Sequence, residues 1–178
     1  MLEVQRLRPL DLEFRLVSLS VINEHREIDA WYREFNERAW GPSRVVAAIA
    51  ADQGADAVQA FYTAAGRHIH VQGDKDFERV MPEALDEVGL PGHLATAAND
   101  PAWDEALRAS TREALDPIGE DLGTPVIHVE DVAFFGPVLT SIPRGEEAVR
   151  MFDAVRTLAG YPDFAELKRS RNDDLRCE

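Results

Sequence analysis

Cysteine is almost absent: the 178 residues contain one, Cys177. An intramolecular disulfide, a CxxC redox pair and a cysteine-rich zinc site each need more thiols than that, so this chain can build none of them. Basic charge is scarce too, with 19 Lys and Arg against 33 Asp and Glu for a formal charge of −14. A surface this acidic repels phosphate backbones and anionic headgroups, which argues against nucleic acid and against a membrane surface as partners. Long apolar runs are missing: no stretch free of Asp, Glu, Lys and Arg exceeds twelve residues, where a spanning helix needs roughly 18. Met1 is followed by Glu3 and mixed charges rather than by a basic and then an apolar segment, so no secretory leader is read. A cytoplasmic location is the expectation. What is present, 45% hydrophobic, 29% charged and 8% aromatic residues, is the composition of a folded chain with a core.

Residues 1–8 have helical character without a capping Ser, Thr, Asp or Asn ahead of them, and Pro9 ends the helix. Leu12, Phe14 and Leu16 alternate with charged residues and lead into Val17-Ser18-Leu19-Ser20-Val21-Ile22, which predicts one long strand over 12–22, apolar enough to lie inside a sheet. From Asn23 to Gly119 the period is helical, punctuated at Gly41-Pro42, Gly54, Gly66, Gly73, Gly89-Leu90-Pro91 and Asn99-Asp100-Pro101. Val58, Phe61, Tyr62 and Ala65 form one apolar stripe, and Phe77, Val80, Met81, Ala84, Leu85 and Val88 a second, which Pro82 is expected to kink or divide. Trp103, Ala106, Leu107, Ser110, Ala114 and Leu115 line a third, with Asp100 as cap and Pro101 at the first position. After Gly123 the period becomes two: Val126 to Val129, a Glu130-Asp131 turn and Val132 to Phe135 predict a hairpin. A last helix follows Pro143 with Ala148, Met151, Phe152, Val155, Leu158 and Ala159 on one face, and a charged tail begins at Arg169.

The order is thus helix, strand, helical block, hairpin, helix. A helix that starts uncapped implies a strand ahead of it, and restoring one gives βαβ, insertion, ββα, an α/β thioredoxin-like fold with an all-helical insertion. The expected organisation is an incomplete, discontinuous thioredoxin-like domain over 1–22 and 120–168, a helical insertion over 23–119 and a polar tail over 169–178. An apolar strand with one flank unpaired invites association with a second copy, so a homodimer is an expected state.

Gly123-Thr124-Pro125-Val126-Ile127 stands where such folds place a cis-proline ahead of a strand. With Ser18-Leu19-Ser20-Val21-Ile22-Asn23-Glu24, Arg38-Ala39-Trp40-Gly41-Pro42, Tyr62-Thr63-Ala64-Ala65-Gly66, Arg67-His68-Ile69-His70, Gly119-Glu120-Asp121-Leu122-Gly123, Phe134-Phe135-Gly136-Pro137 and Ile142-Pro143-Arg144-Gly145-Glu146-Glu147, the chain resembles the DsbA-like thioredoxin family. It is most similar to the branch holding mycothiol-dependent nitroreductases, FrnE and 2-hydroxychromene-2-carboxylate isomerases. The resemblance implies a thiol-dependent oxidoreductase with no tightly bound cofactor, using mycothiol or glutathione as thiol co-substrate on a small electrophilic or disulfide substrate. It implies further that Thr124 and Pro125 face the reacting thiol, and that Asn23, Tyr32 and His70 line the cleft. The family's CPxC dithiol has no counterpart in this sequence, so the 178 residues alone are expected to be inactive in thiol redox chemistry. A glutathione-dependent isomerase and a non-catalytic binding protein remain the alternatives.

Each of these residues has a second reading. Asn23 also reads as a cap or turn residue, Tyr32 as a half-buried packing aromatic, and His128 as structural. His68 and His70 have the look of paired metal ligands but lack a third at a telling spacing, and no metal is expected.

Overall fold

A computed structural model describes residues 1–119 and 123–170. The chain divides into two compact units, Glu13–Gly123 and a second that joins Met1–Leu12 to the chain from Thr124 onward. No helix among the described residues is long and apolar enough to cross a membrane.

The Glu13–Gly123 unit is helical: α2 (Leu19–Ile22), α3 (Ala30–Gln53), α4 (Ala55–Gly66) running into a π-helical turn (Arg67–Val71), α5 (Phe77–Glu87), two 3-10 segments (Gly92–Asn99 and Pro101–Trp103) and α6 (Asp104–Leu115). Its core brings Val45, Val46, Ala48 and Ile49 of α3 against Val58, Phe61 and Ala65 of α4, Val80, Met81 and Leu85 of α5, and Leu94 and Ala97 of the first 3-10 segment. Burying side chains such as Phe61, Ile49 and Leu85 stabilises the fold by about 1.5–3 kcal/mol apiece. Gly54 separates α3 from α4 with φ of 85°, a conformation closed to most residues.

Four expectations are corrected here. Residues 9–18 form no regular element and 19–22 are helix, so the long strand over 12–22 is absent. The reason is local: the Ser18 side chain accepts from the Val21 amide and starts a helical turn, and no strand among the described residues lies alongside to pair with 12–18. Gly41-Pro42 is not a turn but the interior of the 24-residue α3. Proline deletes one backbone bond there, while Ser43 Oγ donates to the Ala39 carbonyl at 2.9 Å, and the buried run Val45 to Ile49 immediately beyond holds the helix together by packing. Pro82 likewise lies inside an unbroken α5, on its exposed side. Tyr62, placed in the apolar stripe, is 59% exposed.

The other unit contains α1 (Leu2–Leu7), the antiparallel hairpin β1 (Val126–Val129) and β2 (Val132–Phe135), and α7 (Gly145–Ala159). The register pairs Val126 with Phe135 and Val129 with Val132, and Glu130 takes φ of 53° in the turn. The Thr124–Pro125 and Gly136–Pro137 peptides are cis. Arg8 and Asp153 join α1 to α7 by paired hydrogen bonds, and Arg8 also lies 5.2 Å from the Phe152 ring centroid. Cys177 and Glu120-Asp121-Leu122 lie outside the described residues.

Candidate functional site

Buried polar side chains gather where α2, α3 and α6 meet. Ser18, Ser20, Asn23, Asn36 and Thr111 are each at most 5% exposed. Burying so many polar groups is tolerable only if they bond one another, and they do. The Ser18 amide donates to Thr111 Oγ1 at 3.1 Å, and Ser20 Oγ donates to the Asn36 carbonyl at 2.7 Å. Ser110 Oγ, half-buried on α6, donates to the Leu16 carbonyl at 2.6 Å.

Asn23 is the C-cap of α2. Its Nδ2 donates to the Leu19 carbonyl at 2.9 Å and lies 3.3 Å from Asn36 Oδ1 and 3.4 Å from the Tyr32 hydroxyl. One donor is therefore well satisfied, while the other is shared between two long contacts. Asn36, one helical turn beyond Tyr32, donates from Nδ2 to the Tyr32 carbonyl at 2.7 Å. Tyr32 accepts at its hydroxyl oxygen and keeps its own O–H as a donor. Its ring stacks on Phe35 at 6.2 Å and 9° and tilts against Trp31 at 5.3 Å. Trp31 is 70% and Phe35 41% exposed, so one polar pair is bordered by an open aromatic face.

Charge frames this junction. Arg108 of α6 makes a paired contact with Glu24 at 2.8 and 3.1 Å, and hydrogen bonding to that guanidinium holds the Glu24 carboxyl below its ordinary pKa. Arg44 makes the same kind of contact with Asp104 at 2.7 and 3.0 Å. Both guanidinium groups lie over the Trp40 ring, at 5.5 and 5.4 Å. Trp40 is thus a half-buried platform for two cations.

Of the five candidate residues, the structure brings Asn23 and Tyr32 within hydrogen-bonding distance. His70 stands apart, exposed in the π-helical turn. Partial desolvation, with the Lys75 charge adding to it, holds its imidazole below the ordinary pKa. Its neighbour His68 meets Glu87 at 3.2 Å through Nε2 and Glu83 at 3.9 Å through Nδ1, so it faces two carboxylates on α5. Thr124 and Pro125 are exposed just ahead of β1, in the other unit. The Pro125 carbonyl accepts from the Gly136 amide at 2.8 Å, which continues the hairpin ladder past β1. A shallow groove of about 380 Å³ opens elsewhere in the helical unit, lined by Ala48, Asp52, His93, Leu94, Asp100 and Trp103, none of them a candidate.

Asn36 and Arg33 were not legible as site residues in the sequence. A signal existed for Asn36: it lies four residues after Tyr32 on one helix, the spacing that places two side chains on a common face.

The family model described as Rv2466c-like, mycothiol-dependent nitroreductase Rv2466c, matches residues 1–169. A relative from Mycobacterium tuberculosis (strain ATCC 25618 / H37Rv), the uncharacterized protein Rv2286c, is 26% identical over 166 residues, which cover 92% of this chain and 70% of that protein.

Proposed function

The chain belongs to the Rv2466c-like family of mycothiol-dependent nitroreductases, and from that premise we propose that it binds a low-molecular-weight thiol, mycothiol, and a small electrophilic substrate for thiol-dependent reduction. The observation that carries this reading is the Asn23 amide held against the Tyr32 hydroxyl, beside exposed Trp31 and Phe35. The Tyr32 O–H, its oxygen held by the buried Asn23 amide, is a donor suited to the oxygens of a nitro group or to the polar groups of a thiol. The aromatic face suits a planar, electron-poor ring.

Thr124, exposed at the entry to β1, is proposed to offer its backbone to a thiol, with Pro125 beside it, and His70 is proposed as a ligand-contacting residue of the helical unit. Two thiols joining as a disulfide release two electrons and two protons, which reduce a nitro group to nitroso with loss of water. No side chain of these residues is assigned as the nucleophile. Cys177 sits in a charged sequence, and a reactive thiolate needs a helix N-terminus or a neighbouring cation to lower its pKa.

Calorimetric titration with mycothiol tests the proposal. Saturable binding that weakens in Asn23→Ala and Tyr32→Phe supports it, and the absence of binding refutes it. The thioredoxin-like architecture and a cytoplasmic site of action are proposed with it. A second reading, a binding protein without turnover, is favoured by the single cysteine. Mycothiol binding without disulfide turnover, unchanged in Cys177→Ser, would select that reading for these 178 residues.

A further inference from the structure

Arg33 follows Tyr32 directly on α3, and its half-buried side chain turns back to the segment after α2. Nη1 donates to the Asn23 carbonyl at 2.7 Å and to the Glu24 carbonyl at 3.4 Å, while Nη2 donates to the Arg26 carbonyl. The last carbonyls of any helix lack intrahelical partners, and α2 is only four residues long. A planar guanidinium with five donors can gather several carbonyls of such a turn, whereas a lysine offers one compact ammonium.

We infer that Arg33 is a positioning residue, fixing the turn at Asn23 so that the Asn23 amide is held between Tyr32 and Asn36. The inference rests on the reading of this junction as the ligand site. Consecutive helical residues point about 100° apart, so Tyr32 reaches the Asn23 side chain while Arg33 reaches its backbone. A single stretch of α3 therefore sets both ends of one residue. The Glu24–Arg108 contact ties the same turn to α6 independently. Removing Arg33 thus releases the Asn23 orientation while this second attachment stays in place.

The test uses the whole chain with Arg33→Ala, Arg33→Lys and Asn23→Ala. Nitrobenzene is the probe, read by quenching of tryptophan fluorescence, and the Asn23 side-chain amide is followed by nitrogen-15 NMR. Arg33→Ala should weaken the probe on the order of tenfold, the scale of one charged hydrogen bond. Arg33→Lys should restore part of the loss, and the Arg33→Ala, Asn23→Ala double variant should be no weaker than Asn23→Ala alone. Losses that add in the double variant, or an Arg33→Ala affinity within about twofold of the parent, overturn the inference. If the parent chain fails to bind nitrobenzene, the functional reading is what fails. The positioning role is then decided by the Asn23 amide resonances, which must shift or broaden in Arg33→Ala, or in Arg33→Lys should the alanine variant not fold. Unchanged resonances overturn it.

Discussion

The two units of this chain are stabilised differently. In Glu13–Gly123 four helices and a 3-10 segment close over Val45, Ile49, Phe61, Val80, Leu85 and Leu107, all at most 4% exposed. In the unit containing the hairpin, the buried hydrophobic residues among those described are Val4 and Ala148, while Phe135, Val138, Leu139, Ile142, Met151 and Leu158 are each at least 38% exposed. A two-stranded hairpin is marginal by itself, and here α1 and α7 are tied by Arg8 to Asp153 and by the Gly145 amide donating to Glu3. The comparison teaches that the helical unit holds enough apolar burial to fix a polar junction inside it. The hairpin unit carries its candidate residues, Thr124 and Pro125, on a lightly packed frame.

Truncation at equivalent aromatic residues gives the largest expected difference. Phe61→Ala should cost about 3–5 kcal/mol of stability in chemical denaturation, since it empties a closed core. Phe135→Ala should cost about 1–2 kcal/mol, because the ring is 41% exposed and closes no cavity. Equal losses would erase the distinction between the units.

Next in size is the buried polar junction. Asn36→Ala removes the Oδ1 acceptor of the Asn23 amide and the donor to the Tyr32 carbonyl, for an expected loss of about 1–3 kcal/mol. Tyr32→Phe removes only a 3.4 Å contact at a half-buried hydroxyl and should change stability by less than about 1 kcal/mol while still weakening ligand. A larger loss of stability in Tyr32→Phe than in Asn36→Ala would assign the network to the wrong residue.

The smallest effects come from acid titration of one carboxylate in each unit. Hydrogen bonding to Arg108 lowers the pKa of Glu24, and hydrogen bonding to Arg8 lowers that of Asp153. A carboxyl with a depressed folded pKa adds stability above its unfolded pKa and loses it as the pH falls through the folded value. Both units should therefore weaken below the ordinary carboxylate range. Glu24→Gln should flatten that acid dependence in the helical unit and Asp153→Asn in the other, each modestly because the pairs are solvated. If Asp153→Asn also flattened the acid transition of the helical unit, the units would not be distinct in stability. His70 adds a separate window. A base with a lowered folded pKa destabilises the fold once the pH drops below its unfolded value, so His70→Gln should relieve a loss that begins near the ordinary histidine range.

Much of this architecture was legible in the sequence. The hairpin register followed from a period of two around Glu130-Asp131, the buried stripe of α5 from a period of 3.6, and the Asp100 cap from its place before Pro101. Residues 12–22 were misread because β-branched residues with alternating polarity fit a strand locally, whereas Ser18 capping selected a helical turn for 19–22. The run through Pro42 was missed because packing beyond the proline, not propensity, keeps α3 whole. Asn23 and Tyr32 were nominated through family resemblance. Their juxtaposition depends on Asn36 and Arg33, whose inward roles are set by tertiary contacts that no period encodes.

The central claim is that the α2–α3 junction is where this member of the family holds its ligand, and backbone and side-chain NMR during a mycothiol titration addresses it most directly. The account predicts saturable shifts at the Asn23 side-chain amide and at Tyr32, with that at Tyr32 abolished in Asn23→Ala. Shifts confined to the groove of Ala48, Asp52, His93 and Trp103, or no saturable shifts at all, would contradict it.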